Sequence, residues 1–442
     1  MQTKKARFKL EDREVNPPSH SMRCSKRKMA VFRMFLQASI VAVIVVVSVT
    51  YSNFGEAFKR NINIPTSDTN YYIRNQGTST ITHGASASES DAKPKKITED
   101  DHQDHRRYSS EVRHIAFLKV HKCASSTMLN IFYRFGYKRG LNFVLPTESN
   151  YIHMIQRKGV ISLVPPPAMS GYDILCNHVR RFNKKQFSRF LPPDTKYIAI
   201  VREPFKRMYS AFNFYRNLLH YPILRRVGGL DPFQTYLDDI AAFESKWGHR
   251  SFTNNAMARD FGFPTKDCRN ISKFKTYLET LDQQFHFVMV SEMFYESLVL
   301  LRRLLKWSME DVIFLTINAH EHKAVAMNAS SEDIKPFLAL DRILYDHYLT
   351  RLEEQIVSEG PDFHNELQYF KGINSKVTEL CNARNTTTKL LSFGANDWHG
   401  DFNITLYDCE LLGKQEIKFL NLVRREQIER VNKYGANKSY FQ

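Results

Sequence analysis

The sequence predicts an α/β chain: a central parallel sheet flanked by helices, preceded by a single transmembrane helix. Three observations carry this expectation. From residue 112 onward, short apolar runs alternate with stretches whose apolar residues recur at helical spacing, as expected for buried parallel strands joined by crossover helices. Met34 to Gly55 is a 22-residue segment without a charged side chain, which as a helix spans about 33 Å, one hydrocarbon core. Between them, residues 74–107 contain almost no large apolar side chain and bury too little surface to offset the entropy of ordering.

These features divide the chain into a cytosolic tail (1–33), a membrane anchor (34–55), a flexible stem (56–110) and a body (111–442). The tail carries ten Lys/Arg against three Asp/Glu, so the positive-inside rule keeps it in the cytosol and sends the body across. The basic leader is long and no A-x-A site follows the apolar run, which favours a type II signal anchor over a cleaved signal peptide. Five sequons, at Asn270, Asn328, Asn385, Asn403 and Asn437, lie beyond the anchor and are candidate glycosylation sites. So do five of the six cysteines; in an oxidising lumen an odd number leaves at least one unpaired, and Cys381 with Cys409 is the first pairing to expect. The net charge is +17, but no dense Lys/Arg tract with interleaved aromatics accompanies it, so no nucleic-acid partner is expected. The excess suits a tail beside a membrane and a site for an acidic cosubstrate. No CxxC or Cys/His pattern points to a metal.

Within the body, a strand is expected at 114–119, followed by a helix at 126–136. A second strand runs from Tyr172 through YDILCNHV, and a third is KYIAIV at 196–201. The helix after it begins at Pro204, where proline is tolerated. FHFVMV at 285–290 reads as a fourth strand and Ser297–Trp307 as a helix. DVIFLTIN reads as strand again, and Pro336–Ile356 as a long amphipathic helix. No internal repeat is present.

Two strand-to-helix junctions carry chemistry. In LKVHKCASST (Leu118–Thr127), Lys122 and the hydroxyls of Ser125, Ser126 and Thr127 stand where the helix opens. A helix N-terminus offers unpaired N–H groups and the positive end of a dipole, so this junction fits a phosphate- or sulfate-sized anion. It is not a Walker A loop, because the lysine precedes the hydroxyls. In IAIVREPFKRMYSAFNFYR (Ile198–Arg216), Arg202 ends the strand and Ser210 lies two turns into the helix, with Arg207 as a helper. CNHVRRFN (Cys176–Asn183) adds His178, an imidazole suited to proton transfer near neutral pH. His121, beside Lys122, is a second such group.

The first two junctions, in this order, resemble the 5′-phosphosulfate loop and the 3′-phosphate site of sulfotransferases that use 3′-phosphoadenosine 5′-phosphosulfate (PAPS). With TNNAMARDFGFP (Thr253–Pro264), SLVLLRRLLKWSMEDVIFLTINAH (Ser297–His320) and FLALDRILYDHY (Phe337–Tyr348), the body resembles the galactose-3-O-sulfotransferases, Golgi enzymes, from about residue 112 to 360. The resemblance implies a P-loop-like sulfotransferase fold and a Golgi membrane location. It implies PAPS as cosubstrate with no metal required, and the 3-hydroxyl of a β-galactose on glycolipid or glycoprotein as acceptor. Catalytic roles fall to Lys122, His178 and His121, donor binding to Lys122, Ala124, Ser125, Ser126, Thr127, Arg202 and Ser210, and acceptor contacts to Asn254, Asn255 and Arg259. A homodimer is left open. One departure stands out: Cys123-Ala124 occupies positions where family members more often have Thr-Gly. Alanine lacks glycine's freedom at positive φ, so an ordinary backbone is expected there, and Cys123 is expected to pack beneath the loop. Two other readings stay open: a sulfotransferase acting on a glycosaminoglycan uronic acid or hexosamine, and an inactive glycan-binding relative. A nucleotide kinase is the weakest rival.

Overall fold

The chain enters the domain through β1 (Ile115–Phe117) and turns into α1 (Ser125–Lys138). Five short strands follow; Leu145–Pro146 and Leu163–Val164 pair with each other, and the other three are β2 (Tyr151–Ile152), β3 (Ile174–Leu175) and β4 (His178–Val179). Next come β5 (Lys196–Val201) with α2 (Pro204–Arg216), α3 (Ala256–Asp260), α4 (Ile271–Gln284) and β6 (Phe287–Val290). The remainder is helical apart from one hairpin: α5 (Phe294–Leu305), α6 (Lys335–Ser358), α7 (Pro361–Asn382), α8 (Leu406–Leu412) and α9 (Glu416–Tyr434). This computed structural model describes residues 111–152, 163–217, 222–245, 251–315, 334–383 and 389–441. The expected anchor and stem, and the sequons at Asn328 and Asn385, lie outside these residues. Among the described residues no helix is long and apolar enough to cross a membrane.

The central sheet has the order β3-β1-β5-β6, with every neighbouring pair parallel. After β1 the chain builds β3 on one side, then returns to build β5 on the other. The winding therefore reverses beside β1, and in open α/β sheets ligands bind at the carboxyl ends of the strands at such a reversal. All strand residues of β1 and β6 are buried, consistent with helices on both faces. Gly136 lets α1 lie close to the sheet: a Cβ there would come within 2.3 Å of Phe143 and 2.9 Å of Ile174.

The parallel sheet, the helix after Pro204 and the long helix over Pro336–Ile356 agree with expectation. Two expected strands do not. YDILCNHV splits: β3 pairs with β1, whereas β4 pairs with β2 outside the main sheet. Asn177 lies between them, its amide held by the Tyr133 hydroxyl and the carbonyl of Val144, which takes the chain out of the ladder. In DVIFLTIN the described part forms no strand. Met309–Val312 is a helical turn, nucleated by a capping box in which Ser308 Oγ and Ser308 N–H both donate to Asp311, at 2.7 and 3.2 Å. Arg139 then grips Asp311 with two hydrogen bonds of 2.9 and 2.8 Å. Cys381 and Cys409 form a disulfide joining α7 to α8, and Cys123, Cys176 and Cys268 are free.

Candidate active site

The turn after β1 folds back through two left-handed residues, Lys122 (φ 67°) and Ala124 (φ 55°). The ordinary backbone expected at Ala124 is therefore not what forms; alanine accepts a conformation that costs it about 1–2 kcal/mol. The turn leads directly into α1, with Ala124 as N-cap. The N–H of Thr127 donates to Ala124 O at 3.1 Å and is spent. The N–H groups of Ala124, Ser125 and Ser126 have no protein acceptor among the described residues, and an alternation of this kind forms a concavity that suits an anion. Lys122 Nζ lies 3.8 Å from the centre of the Phe214 ring. Burial and the charges of Arg202, Lys119 and Arg207 bring its pKa down to about 8. Cys123 packs beneath the turn as expected. It is fully buried, and burial pushes its thiol up, which makes it inert rather than nucleophilic.

Arg202 ends β5 and donates Nη1–H to the carbonyl oxygen of Lys122 at 3.0 Å, so the two junctions meet. Glu203 caps α2 by accepting from Lys206 N–H at 2.7 Å, which starts the helix that presents Arg207 and Ser210. Arg207 is 0% exposed. Its Nε–H donates to His121 O at 3.2 Å, whereas Nη1 and Nη2 make no hydrogen bond among the described residues. A buried guanidinium with two unmet nitrogens is costly unless an anion completes it. The residues present therefore fit a phosphate- or sulfonate-bearing group.

The two histidines face each other with ring centroids 5.5 Å apart. His121 Nδ1 and the His121 backbone N–H both lie 2.9 Å from Asp260 Oδ2. Burial opposes ionisation of Asp260, but His121 and Arg207 hold its carboxyl below the usual range. An ionised carboxylate only accepts, so Nδ1 carries a hydrogen and donates it to Asp260. Burial lowers the pKa of His178, against the opposing pull of Glu416. Glu416 and its partner Lys119, 2.6 Å apart, escape sequence reasoning. An acidic residue opening a helix more than 200 positions downstream gives no sign that it enters the site. Asp260 falls in the quoted TNNAMARDFGFP segment, and its position at the end of a short helix carries no signal of its own.

Lys119, Lys122, Arg202, Arg207, the two histidines, Asp260 and Glu416 line one cavity of about 1130 Å³. Every residue expected to act in catalysis or donor binding, from His121 to Ser210, contributes to its wall, and so does Arg259. Asn254 and Asn255 do not. Asn255 is 1% exposed. Its Oδ1 accepts from Leu340 and Asp341 N–H at 2.9 and 3.3 Å, while the Asp341 carboxylate accepts from Met257 and Ala258 N–H at 3.1 and 2.8 Å. These reciprocal bonds lock α3 to α6 and so aim Arg259 and Asp260 into the cavity, a structural task in place of the expected sugar contact. Of the described sequons, Asn270 and Asn403 are exposed, whereas Asn437 Nδ2 donates to Ser170 O at 2.7 Å. Among the described residues no group of three or more His, Cys, Asp or Glu side chains is arranged to hold a metal ion.

Residues 31–390 match the family model of galactose-3-O-sulfotransferase. Galactose-3-O-sulfotransferase 2 of Homo sapiens is 32% identical over 285 residues, 61% of this chain and 68% of that protein. Galactosylceramide sulfotransferase of Bos taurus is 29% identical over 277 residues, covering 61% and 64%. Galactose-3-O-sulfotransferase 3 of Mus musculus is 33% identical over 254 residues, covering 56% and 58%.

Proposed function

Since the chain belongs to the galactose-3-O-sulfotransferase family and is a carbohydrate sulfotransferase of that type, we propose that it transfers a sulfuryl group from PAPS to the 3-hydroxyl of a β-galactose on a glycolipid or glycoprotein glycan. The observation that carries the reading is the meeting of the two anion-binding junctions at the sheet's winding reversal, through the bond from Arg202 to Lys122 O. The N–H groups of residues 124–126, the Thr127 hydroxyl and Lys122 hold the 5′-phosphate end. Arg202, Arg207 and Ser210 hold the 3′-phosphate. When bound, PAPS supplies an activated sulfuryl group whose departure leaves negative charge on a phosphate oxygen. Lys122 is the group that stabilises this charge as it develops. His178 takes the proton of the acceptor hydroxyl, and His121, oriented by Asp260, contacts the acceptor beside it. Arg259 lines the acceptor side.

We further propose a type II Golgi protein, anchored by residues 34–55 with the body in the lumen. The Cys381–Cys409 disulfide and the exposed sequon asparagines Asn270 and Asn403 support an oxidising, glycosylating compartment.

The test is direct. The detergent-solubilised full chain is incubated with radiolabelled PAPS and a panel of lactosyl, uronyl and hexosaminyl acceptors, and the modified carbon is mapped. Label on O3 of galactose is the expected result. Label confined to uronic acid or hexosamine overturns the acceptor, and binding of 3′,5′-ADP without any transfer overturns the catalytic reading.

A further inference from the structure

Glu416 opens α9, beyond residue 390 where the family match ends, yet its carboxylate stands among the cationic groups of the cleft. Oε2 accepts from Lys119 Nζ at 2.6 Å and from Ser126 Oγ at 3.3 Å. Oε1 accepts from Asn150 Nδ2 at 3.3 Å and lies 3.3 Å from His178 Nε2. Three donors and one imidazole, from four separate segments, converge on one side chain: the turn after β1, the start of α1, the approach to β2, and β4. A negative charge beside a phosphate-binding turn works against anion binding, so its contribution has to lie with the imidazole and ammonium it touches. Burial opposes its ionisation, but the neighbouring His178 imidazole and Lys119 hold the carboxyl well below the usual range.

We propose that Glu416 is a positioning residue of the transfer reaction: it fixes His178 as the Nε2–H tautomer and leaves Nδ1 to take the acceptor proton. The argument is one of donors and acceptors. An ionised carboxylate can only accept, so the ring hydrogen sits on Nε2. Nδ1 then carries the lone pair and makes no protein hydrogen bond among the described residues. As the acceptor oxygen bonds to sulfur and the sulfur–phosphate oxygen bond breaks, the hydroxyl proton passes to Nδ1. The resulting imidazolium is paired with Glu416, and the charge of the departing phosphate is met by Lys122. This rests on the reading of His178 as the base.

The test measures kcat and KM of the full chain from about pH 5 to pH 9 for wild type, Glu416→Gln, Glu416→Asp and His178→Ala. The groups facing the His178 ring are Glu416 from α9, Lys119 and His121 from the turn after β1, and Tyr151 from β2. Glu416 alone of these favours the imidazolium; Lys119 and His121 disfavour it. Glu416→Gln is expected to lower kcat about ten- to a hundredfold, to change the KM for PAPS less than about threefold, and to move the acid limb of kcat/KM to lower pH. Glu416→Asp should recover part of the rate. An acid limb that stays in place in Glu416→Gln, yet is absent from the residual activity of His178→Ala, overturns the role of Glu416 alone. An acid limb that persists in His178→Ala overturns the base assignment beneath it. Should Glu416→Gln unfold by stranding Lys119, Lys119→Met is compared with Lys119→Met/Glu416→Gln, which removes both buried charges together, and an acid limb in the same place in these two overturns the proposal equally.

Discussion

The guanidinium of Arg202 donates to the carbonyl oxygen of Lys122 across 3.0 Å, tying the end of β5 to the turn that follows β1. One side chain thereby shapes the lysine turn while presenting its remaining N–H groups to the cavity. Arg202→Ala removes both contributions. Hydrogen bonds to charged groups are worth about 1.5–3 kcal/mol, so affinity for 3′,5′-ADP should fall roughly ten- to a hundredfold. Arg202→Lys should recover little, because a compact ammonium lacks the fork that reaches two acceptors at once. Calorimetric titration measures both; wild-type affinity in Arg202→Ala would show that the donor is held elsewhere.

Ala124 sits at φ 55°, ψ 14°, a region alanine enters at a cost of about 1–2 kcal/mol. Ala124→Gly removes that strain but adds unfolded-state entropy of about 0.4–1 kcal/mol, for a net gain of roughly 0.5 kcal/mol. Ala124→Val places a β-branched side chain in the same region and should be strongly destabilising. Thermal unfolding of the two variants gives the contrast. A valine variant as stable as the glycine one would mean that the turn does not hold this conformation.

The sheet and the two strand-to-helix junctions are legible because each rests on short-range signals: apolar runs at strand length, a proline opening α2, hydroxyls opening α1. The conformation of the turn was not, because Ala124 obeys its neighbours over its own preference: α1 must start there while Arg202 pulls on Lys122 O. Composition overstates strand length where a single polar residue decides, as Asn177 does by leaving the ladder for Tyr133 and Val144. DVIFLTIN reads as strand by composition, yet Ser308 and Asp311 already spell the capping box that wins. Glu416 and Asp260 were hidden for a different reason. Their importance arises from tertiary placement, and no local pattern distinguishes a carboxylate that turns inward from one that faces solvent. Asn255 shows the opposite error, a polar residue in a family-like segment whose side chain holds backbone.

Asn255 and Asp341 should behave as one structural unit. Each carboxyl or amide oxygen satisfies N–H groups at the start or interior of the other's helix, and both side chains are buried. Asn255→Ala strands two buried donors and should cost about 2–4 kcal/mol. Asp341→Ala should cost a similar amount, and the double variant less than the two combined, since contacting residues are not additive. Equilibrium denaturation of the four proteins measures the coupling. Unchanged stability with a raised KM for acceptor would return Asn255 to a sugar-binding role.

Lys122 gives the site a pH dependence whose sign can be worked out. Burial, with the charges of Arg202, Lys119 and Arg207, brings its pKa down to about 8, against about 10.4 for an unfolded lysine. Below pH 8 the ammonium is present to meet a phosphate; as pH rises through 8 it is lost, so affinity for 3′,5′-ADP should decline by up to tenfold per unit. Fold stability runs the other way. Between about 8 and 10.4 the unfolded chain holds the proton and the folded chain does not, so the free protein gains stability with rising pH over that window. Lys122→Arg stays charged throughout and should abolish the decline in affinity, while Lys122→Met should bind weakly at every pH and lack the stability gain. Titrations of 3′,5′-ADP and unfolding curves across pH 7 to 10, taken relative to Lys122→Met, separate this lysine from every other titrating group. Affinity that stays level through pH 8 in the wild type would mean that Lys122 does not face the phosphate.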